Sequence, residues 1–209
     1  MKKALVLSLL AIAFAPCSYA ANAKSENDFH VAVGLGLTAG GDSLARAEYT
    51  NGDTAKIYGG GLIQLGAGVY YHKPSVPLSV LLTINYHVDQ ASARNGNMQF
   101  DRWPLELIGY YHINDSWRIG AGLRHVMSPS LKVDIDYQPS TKVDYEDTNS
   151  PVAEVAWGKS WGRKNYWVAL RYVHENLKVK RVSIGDQPVE PALQTEDGSH
   201  FGVFIRYAF

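Results

Sequence analysis

Cysteine is nearly missing from this sequence: the single one among 209 residues is Cys17, close to the N-terminus. A disulfide framework, the usual staple of a small exported domain, is therefore excluded. Net charge is missing too, with 20 Lys+Arg against 20 Asp+Glu, so there is no basic excess of the kind that marks a nucleic-acid binder. Charged residues make up only 19%, while 13 Tyr, 5 Trp and 6 Phe are present, which excludes intrinsic disorder. Beyond the first twenty residues no stretch reaches the roughly 18 consecutive apolar residues of a transmembrane helix, and no 3.6-residue period is sustained. A membrane protein of this composition has to cross as strands.

The first twenty residues read as a leader. Lys2 and Lys3 precede the apolar run Ala4 to Ala15, and Ser18-Tyr19-Ala20 supplies a small-residue cleavage site. Residues 1–20 are expected to be a cleaved signal peptide and residues 21–209 the exported domain. Pro16 precedes Cys17 where a lipidated cysteine would follow a small residue, so Cys17 belongs to the leader.

After the leader, apolar and small or polar residues alternate with a period of two. Phe29, Val31, Val33, Leu35 and Leu37 alternate with His30, Ala32, Gly34, Gly36 and Thr38. The same pattern recurs over 63–72, 78–88, 102–113, 117–127, 153–158, 166–173 and 200–209, giving eight strands. Most of these runs are about 9 to 13 residues, enough to cross a bilayer as a tilted strand. Connections alternate between short turns (73–77, 114–116, 162–165) and long loops (40–59, 89–99, 128–150, 176–199). The expected fold is all-β, a closed antiparallel eight-stranded transmembrane up-and-down barrel, with short turns and termini in the periplasm.

Aromatic residues cluster at the short-turn level: Phe29, Tyr70, Tyr71, Tyr110, Tyr111, Trp117, Trp157, Trp161, Tyr166, Trp167, Tyr207 and Phe209. A sparser set, Tyr86, Trp103 and Tyr172, marks the other side. Two such levels match the two aromatic girdles of an outer-membrane barrel.

At the C-terminus Phe201, Val203, Ile205, Tyr207 and Phe209 alternate outward. This ending resembles the signal read by the outer-membrane assembly machinery, and the exported chain is similar to the small OmpA/OmpX-type eight-stranded barrels. Thr38-Ala39-Gly40-Gly41-Asp42-Ser43-Leu44-Ala45, Tyr49-Thr50-Asn51-Gly52 and Gly59-Gly60-Gly61-Leu62 also resemble a group of uncharacterised proteobacterial barrels. The resemblance implies residence in the outer membrane of a Gram-negative envelope. It implies no activity.

An eight-stranded barrel is narrow enough for side chains to fill it. The face read as inward carries many glycines together with Arg102, Glu106, Arg118, Arg124, Glu154, Arg171 and Arg206. These are expected to form a lumenal charge network in which Glu106 and Glu154 are shared among several arginines. His30, His72 and His112 face inward at the short-turn end. Without a nearby carboxylate or cysteine, hydrogen bonding there is expected rather than metal binding, and no cofactor is expected.

A lipid A acyl hydrolase would need a serine, a histidine and an orienting acid. The nearest pair, His125 and Ser128, is spaced by three, which on a regular strand puts the two on opposite faces, and Pro129 suggests a strand end. No enzyme is expected. The loops carry acidic residues (Asp134, Asp136, Asp144, Glu146, Asp147) and basic ones (Lys178, Lys180, Arg181), which flank one pair of strands and could zip into a protruding sheet. Asn51-Gly52 signals a hairpin that would prolong the first two strands. The reading is a non-enzymatic monomer acting in envelope integrity or surface interaction. Outer-membrane lipids, lipopolysaccharide, the assembly machinery and an extracellular ligand are the expected partners. A lipid A hydrolase and a narrow channel for small or hydrophobic solutes are the alternatives.

Overall fold

The computed structural model describes residues 29–48, 54–73, 75–93, 96–161, 164–185, 187–190 and 194–209. The expected leader and the Asn51-Gly52 turn lie outside the described residues. Fourteen strands and no helix occur among these: β1 (Phe29–Ala39), β2 (Ser43–Glu48), β3 (Thr54–Tyr58), β4 (Leu62–His72), β5 (Leu78–Ala93), β6 (Gly96–His112), β7 (Trp117–Ile135), β8 (Thr141–Tyr145), β9 (Thr148–Trp161), β10 (Lys164–Val173), β11 (Asn176–Ile184), β12 (Gln187–Val189), β13 (Thr195–Asp197) and β14 (His200–Ala208).

Eight of these close on themselves in the order β1, β4, β5, β6, β7, β9, β10, β14, each pair antiparallel. The seam joins the first strand to the last, with Ala32 opposite Ala208 and Ala39 opposite Phe201. A closed ladder leaves no unpaired backbone edge, the condition for a sheet to sit in hydrocarbon.

The alternation read from the sequence is the alternation of burial. Along β6, Arg102, Pro104, Glu106, Ile108 and Tyr110 are buried while Trp103, Leu105, Leu107 and Tyr111 are exposed. Leu107 is 51% exposed and Ile205 59%, against 0% for Arg124 and 1% for Glu106. Apolar outside and charged inside inverts a water-soluble barrel, so the outer surface suits hydrocarbon. The apolar stretch from Phe201 to Phe209 measures about 20 Å along the axis at ~3.4 Å per residue and ~40° tilt, close to the apolar band of such barrels.

Rings pair at both rims: Phe29 with Tyr71 at 4.8 Å on the short-turn side, Tyr86 with Trp103 at 4.9 Å and Tyr172 with Phe201 at 4.8 Å on the other. Tyr70, Tyr110 and Trp167 are not part of a girdle. They point into the lumen and are at most 1% exposed, because each sits on the inward half of its strand's alternation.

The long-loop side departs from expectation. The stretch 89–99 is no loop: β5 and β6 continue as a paired hairpin from Asp89 opposite Phe100 to Ala93 opposite Gly96. Nor does β7 end at Pro129; it runs to Ile135 through Ser128, which adopts a φ of 51°. The ladder between β6 and β7 shifts register there, between Asp101 and Trp103. This bulge adds a residue to one strand, so the side-chain parity reverses. Below it Arg124 and Val126 face inward; above it Pro129 and Leu131 do. The hairpin expected to prolong the first two barrel strands is a separate two-stranded sheet, β2 with β3. Gly40 and Gly41 break the chain after β1 with φ of 136° and 77°, a region that side chains disfavour.

These extensions build a second hydrophobic core beyond the barrel. Ile57, Met98, Phe100, Leu131, Tyr145 and Leu177 are buried together, with Leu44, Val133, Val143 and Val179 packed against them. β8 pairs with both β7 and β11, Val143 lying opposite Leu131 on one side and Val182 on the other. The long loops are thus largely an ordered β-structure capping the barrel.

Candidate functional site

Three groups of polar side chains are candidates: the lumen, its short-turn end, and the outer face of the cap. In the lumen seven charged groups form one ladder. Glu175 receives Arg102 at 2.7 Å and the Nε of Arg124 at 3.0 Å; Arg124 also donates to Glu106 at 2.8 Å. Arg171 holds both Glu106 oxygens, at 2.8 and 2.9 Å, and its Nε donates to Glu154 at 2.6 Å. Arg206 closes the ladder with two bonds to Glu154 at 2.8 and 2.9 Å, and the Tyr110 hydroxyl donates to the same carboxylate at 2.6 Å. Multiple charge-assisted bonds to each carboxylate are what allows buried carboxylates to stay ionised.

Neutral groups complete the upper part. Gln64 donates to Glu106 and accepts from Arg124 at 2.8 Å. His87 Nδ1 accepts from Arg102 and Arg124, which leaves its Nε2–H to donate to Thr38 Oγ1 at 2.8 Å. Arg102 also donates to the carbonyl of Gly59, tying the lumen to the segment between β3 and β4. A small pocket between Gln64, Thr83, Asn85 and Arg206 has room for about one water.

Glu175 was not singled out from the sequence as part of this network. It follows β10 as the next inward position after Arg171 and Val173, and the alternation continued past the strand end would have found it. Arg118 stands apart from the ladder. It donates to the Tyr70 hydroxyl at 3.0 Å and lies 4.8 Å from the centre of the Trp167 ring. Of the three histidines expected at this end, His72 and His112 stack at 4.6 Å with planes 15° apart, and Ser79 Oγ is 2.8 Å from His112 Nε2. His30 instead neighbours the Tyr70 ring, at 6.3 Å. Among the described residues no three His, Cys, Asp or Glu side chains form a metal-sized cluster.

The expected zip between the acidic and basic stretches forms as the pairing of β8 with β11, while two of the carboxylates take lysines from their own strands. Asp134 is paired with Lys132 at 3.0 Å, and Asp144 with Lys142 at 2.8 Å. Burial opposes ionisation of Asp144, but bonds from Lys142 and Ser130 hold its carboxyl below its ordinary value. Asp136 is exposed in the turn after β7, and Glu146 and Asp147 join β8 to β9. Arg181 lies opposite Asp144, Lys178 opposite Thr195, and Lys180 sits in a bulge of β11. Beyond them the turns after β7 and β11 meet, Gly185 N–H donating to Ser140 O at 2.7 Å. That tip exposes Ile135, Tyr137, Ile184 and Val189. The five residues of the C-terminal pattern behave as a wall: Phe201, Val203, Ile205 and Phe209 are exposed outward and Tyr207 is half-buried.

His125 and Ser128 do not make a catalytic pair by any bond among the described residues. His125 Nδ1 meets the Asn149 side-chain oxygen at 2.9 Å, and the Ser128 backbone N–H donates to Asp147 at 2.9 Å. Both residues are taken up in shaping the bulge and the adjoining strand.

No family model matches this sequence, and no curated protein sequence matches it. Among solved structures the chain is similar to neisserial surface protein A, at 11% identity and a TM-score of 0.47, over 87% of this chain and 97% of that one. It is similar also to outer membrane protein AlkL in lipid bilayers, at 16% identity and a TM-score of 0.47, over 91% of this chain and 95% of that one.

Proposed function

We propose that this barrel resides in a bacterial outer membrane, with its short turns in the periplasm, and works without catalysis as a sealed anchor for a rigid surface platform. The observation that carries this reading is the second core around Phe100, Leu131 and Leu177, which turns the long connections into one ordered body. Mobile loops would serve to shield; a packed platform presents a fixed surface. Its tip is apolar at Ile135, Tyr137, Ile184 and Val189, and its flank carries Lys132, Lys142 and Arg181 interspersed with Asp134 and Asp144. An apolar centre with a polar rim is the composition of a protein-binding surface, and the flanking charges stand where lipopolysaccharide headgroups would meet them.

The test is a comparison of cells lacking the protein, cells with the native chain and cells with Tyr137→Ser plus Ile184→Ser. Adhesion and membrane-permeability phenotypes of the null strain should reappear in the double variant, although its barrel still inserts. Full activity of a folded double variant would remove the platform from the function. Lipid A spectra should be identical in all three strains, and a protein-dependent loss of an acyl chain would replace this reading by hydrolysis. Stepwise conductance in planar bilayers would replace it by a channel.

A further inference from the structure

Among the described lumenal arginines one takes no carboxylate, and it lies at the short-turn end. Arg102, Arg124, Arg171 and Arg206 are all paired with Glu106, Glu154 or Glu175. Arg118 is 2% exposed, and among the described residues it has no ion pair. Its Nε has no hydrogen-bond partner there, and neither does Nε1 of Trp167, a fully buried residue whose ring lies against the guanidinium. Two orphan N–H donors and one uncompensated charge thus occur in a single contact. Each is costly alone: a buried donor left unmade costs about 1–3 kcal/mol and an unpaired buried charge more. A water could satisfy donors but not the charge.

We propose that a small anion with hydrogen-bond-accepting atoms, a halide or a carboxylate group, binds at the short-turn end of the lumen, between the Arg118 guanidinium and the Trp167 indole N–H. Tyr70 fixes the guanidinium by accepting from its terminal nitrogen at 3.0 Å, so the Nε edge is left to the ligand. Its cross-strand neighbour His112 and the stacked His72 are half-buried, so this end of the lumen meets solvent along an imidazole edge. The ladder of ion pairs begins only above, at Tyr110, Glu154 and Arg206. The anion would thereby give Arg118 the counter-charge that the glutamates of the ladder do not supply.

The experiment follows the Trp167 indole N–H resonance of refolded protein in zwitterionic micelles, assigned by its loss in Trp167→Phe. Chloride and acetate are titrated separately at constant ionic strength against a bulky counter-anion. A saturable shift in the native chain that is absent in Arg118→Gln is expected, the two probes distinguishing a halide site from a carboxylate site. No shift with either probe, or the same shift in Arg118→Gln, overturns the proposal and leaves a bound water. Should Arg118→Gln fail to fold, the urea midpoint of the native chain decides. It should rise steadily with the logarithm of the anion concentration at constant ionic strength, as ligand linkage requires; a flat midpoint overturns the site.

Discussion

Arg171 on β10 grips both oxygens of Glu106 on β6, at 2.8 and 2.9 Å, across the lumen. The two strands are not neighbours in the barrel, so this contact braces the wall where no ladder of backbone bonds can. Removing the carboxylate would leave Arg171 and Arg124 short of a partner in a buried site. Glu106→Ala is expected to lower unfolding stability by about 3–5 kcal/mol, and Glu154→Ala by a similar amount. Urea titrations of the refolded barrel read this directly, and unchanged midpoints in both would refute the ladder as a source of stability.

The Ser128 bulge gives a second prediction. A non-glycine residue at φ 51° carries a conformational cost of about 1 kcal/mol that glycine avoids. Ser128→Gly should therefore raise stability slightly, and Ser128→Val should lower it by more. Deleting Ser128 removes the extra residue and sets Pro129 opposite Arg102, so alternation runs unbroken from Val126 to Leu131 while Leu131 and Val133 stay inward. The deletion should therefore keep a protease-resistant cap on the barrel, and a cap that proteases cut readily would show that the bulge itself is needed.

Leu177→Ala opens a cavity in the second core and nowhere in the barrel. A loss of about 2–5 kcal/mol confined to the cap is expected. Hydrogen exchange should quicken at β8 and β11 while the amides of β1 and β14 stay protected. Uniform quickening would mean that cap and barrel open as one unit.

Glu196 adds a pH dependence outside the membrane. Burial and the nearby Asp42 push its carboxyl up from the ordinary 4.5. A raised acid favours the fold below its unfolded value, and that contribution is lost as pH rises through the folded value. At neutral pH the charge is a cost, so Glu196→Gln should stabilise the cap at pH 7, by less than ~1 kcal/mol because the site is partly solvated. The gain should vanish at pH 4, as cap-opening rates at the two pH values would reveal.

The strand faces were legible because a period of two maps onto inside and outside without tertiary knowledge. That rule alone puts Arg102, Glu106, Arg124, Glu154, Arg171 and Arg206 in one lumen. The same rule puts Tyr70, Tyr110 and Trp167 in the lumen; their height alone, taken without their face, groups them with a girdle they do not join. The rule fails where parity changes. One extra residue at Ser128 hides the fact that Leu131 continues the inward face, so the cap reads as loop. Glu175 was missed for a related reason: Glu175-Asn176 looks like the start of a loop, yet its inward parity continues that of Arg171 and Val173.

The seam between β1 and β14 sets an order of events. Gly34 finds its ladder partner in Arg206, at the far end of the chain, and Leu35 finds Ile205. Until both ends of the chain are present, β1 has only β4 to pair with and keeps an open edge. Closure therefore comes last and depends on contacts of extreme sequence separation, the kind that slows folding most. Every intermediate before it exposes both an unpaired strand and an apolar wall, so the barrel has to be sheltered for as long as its two ends are apart.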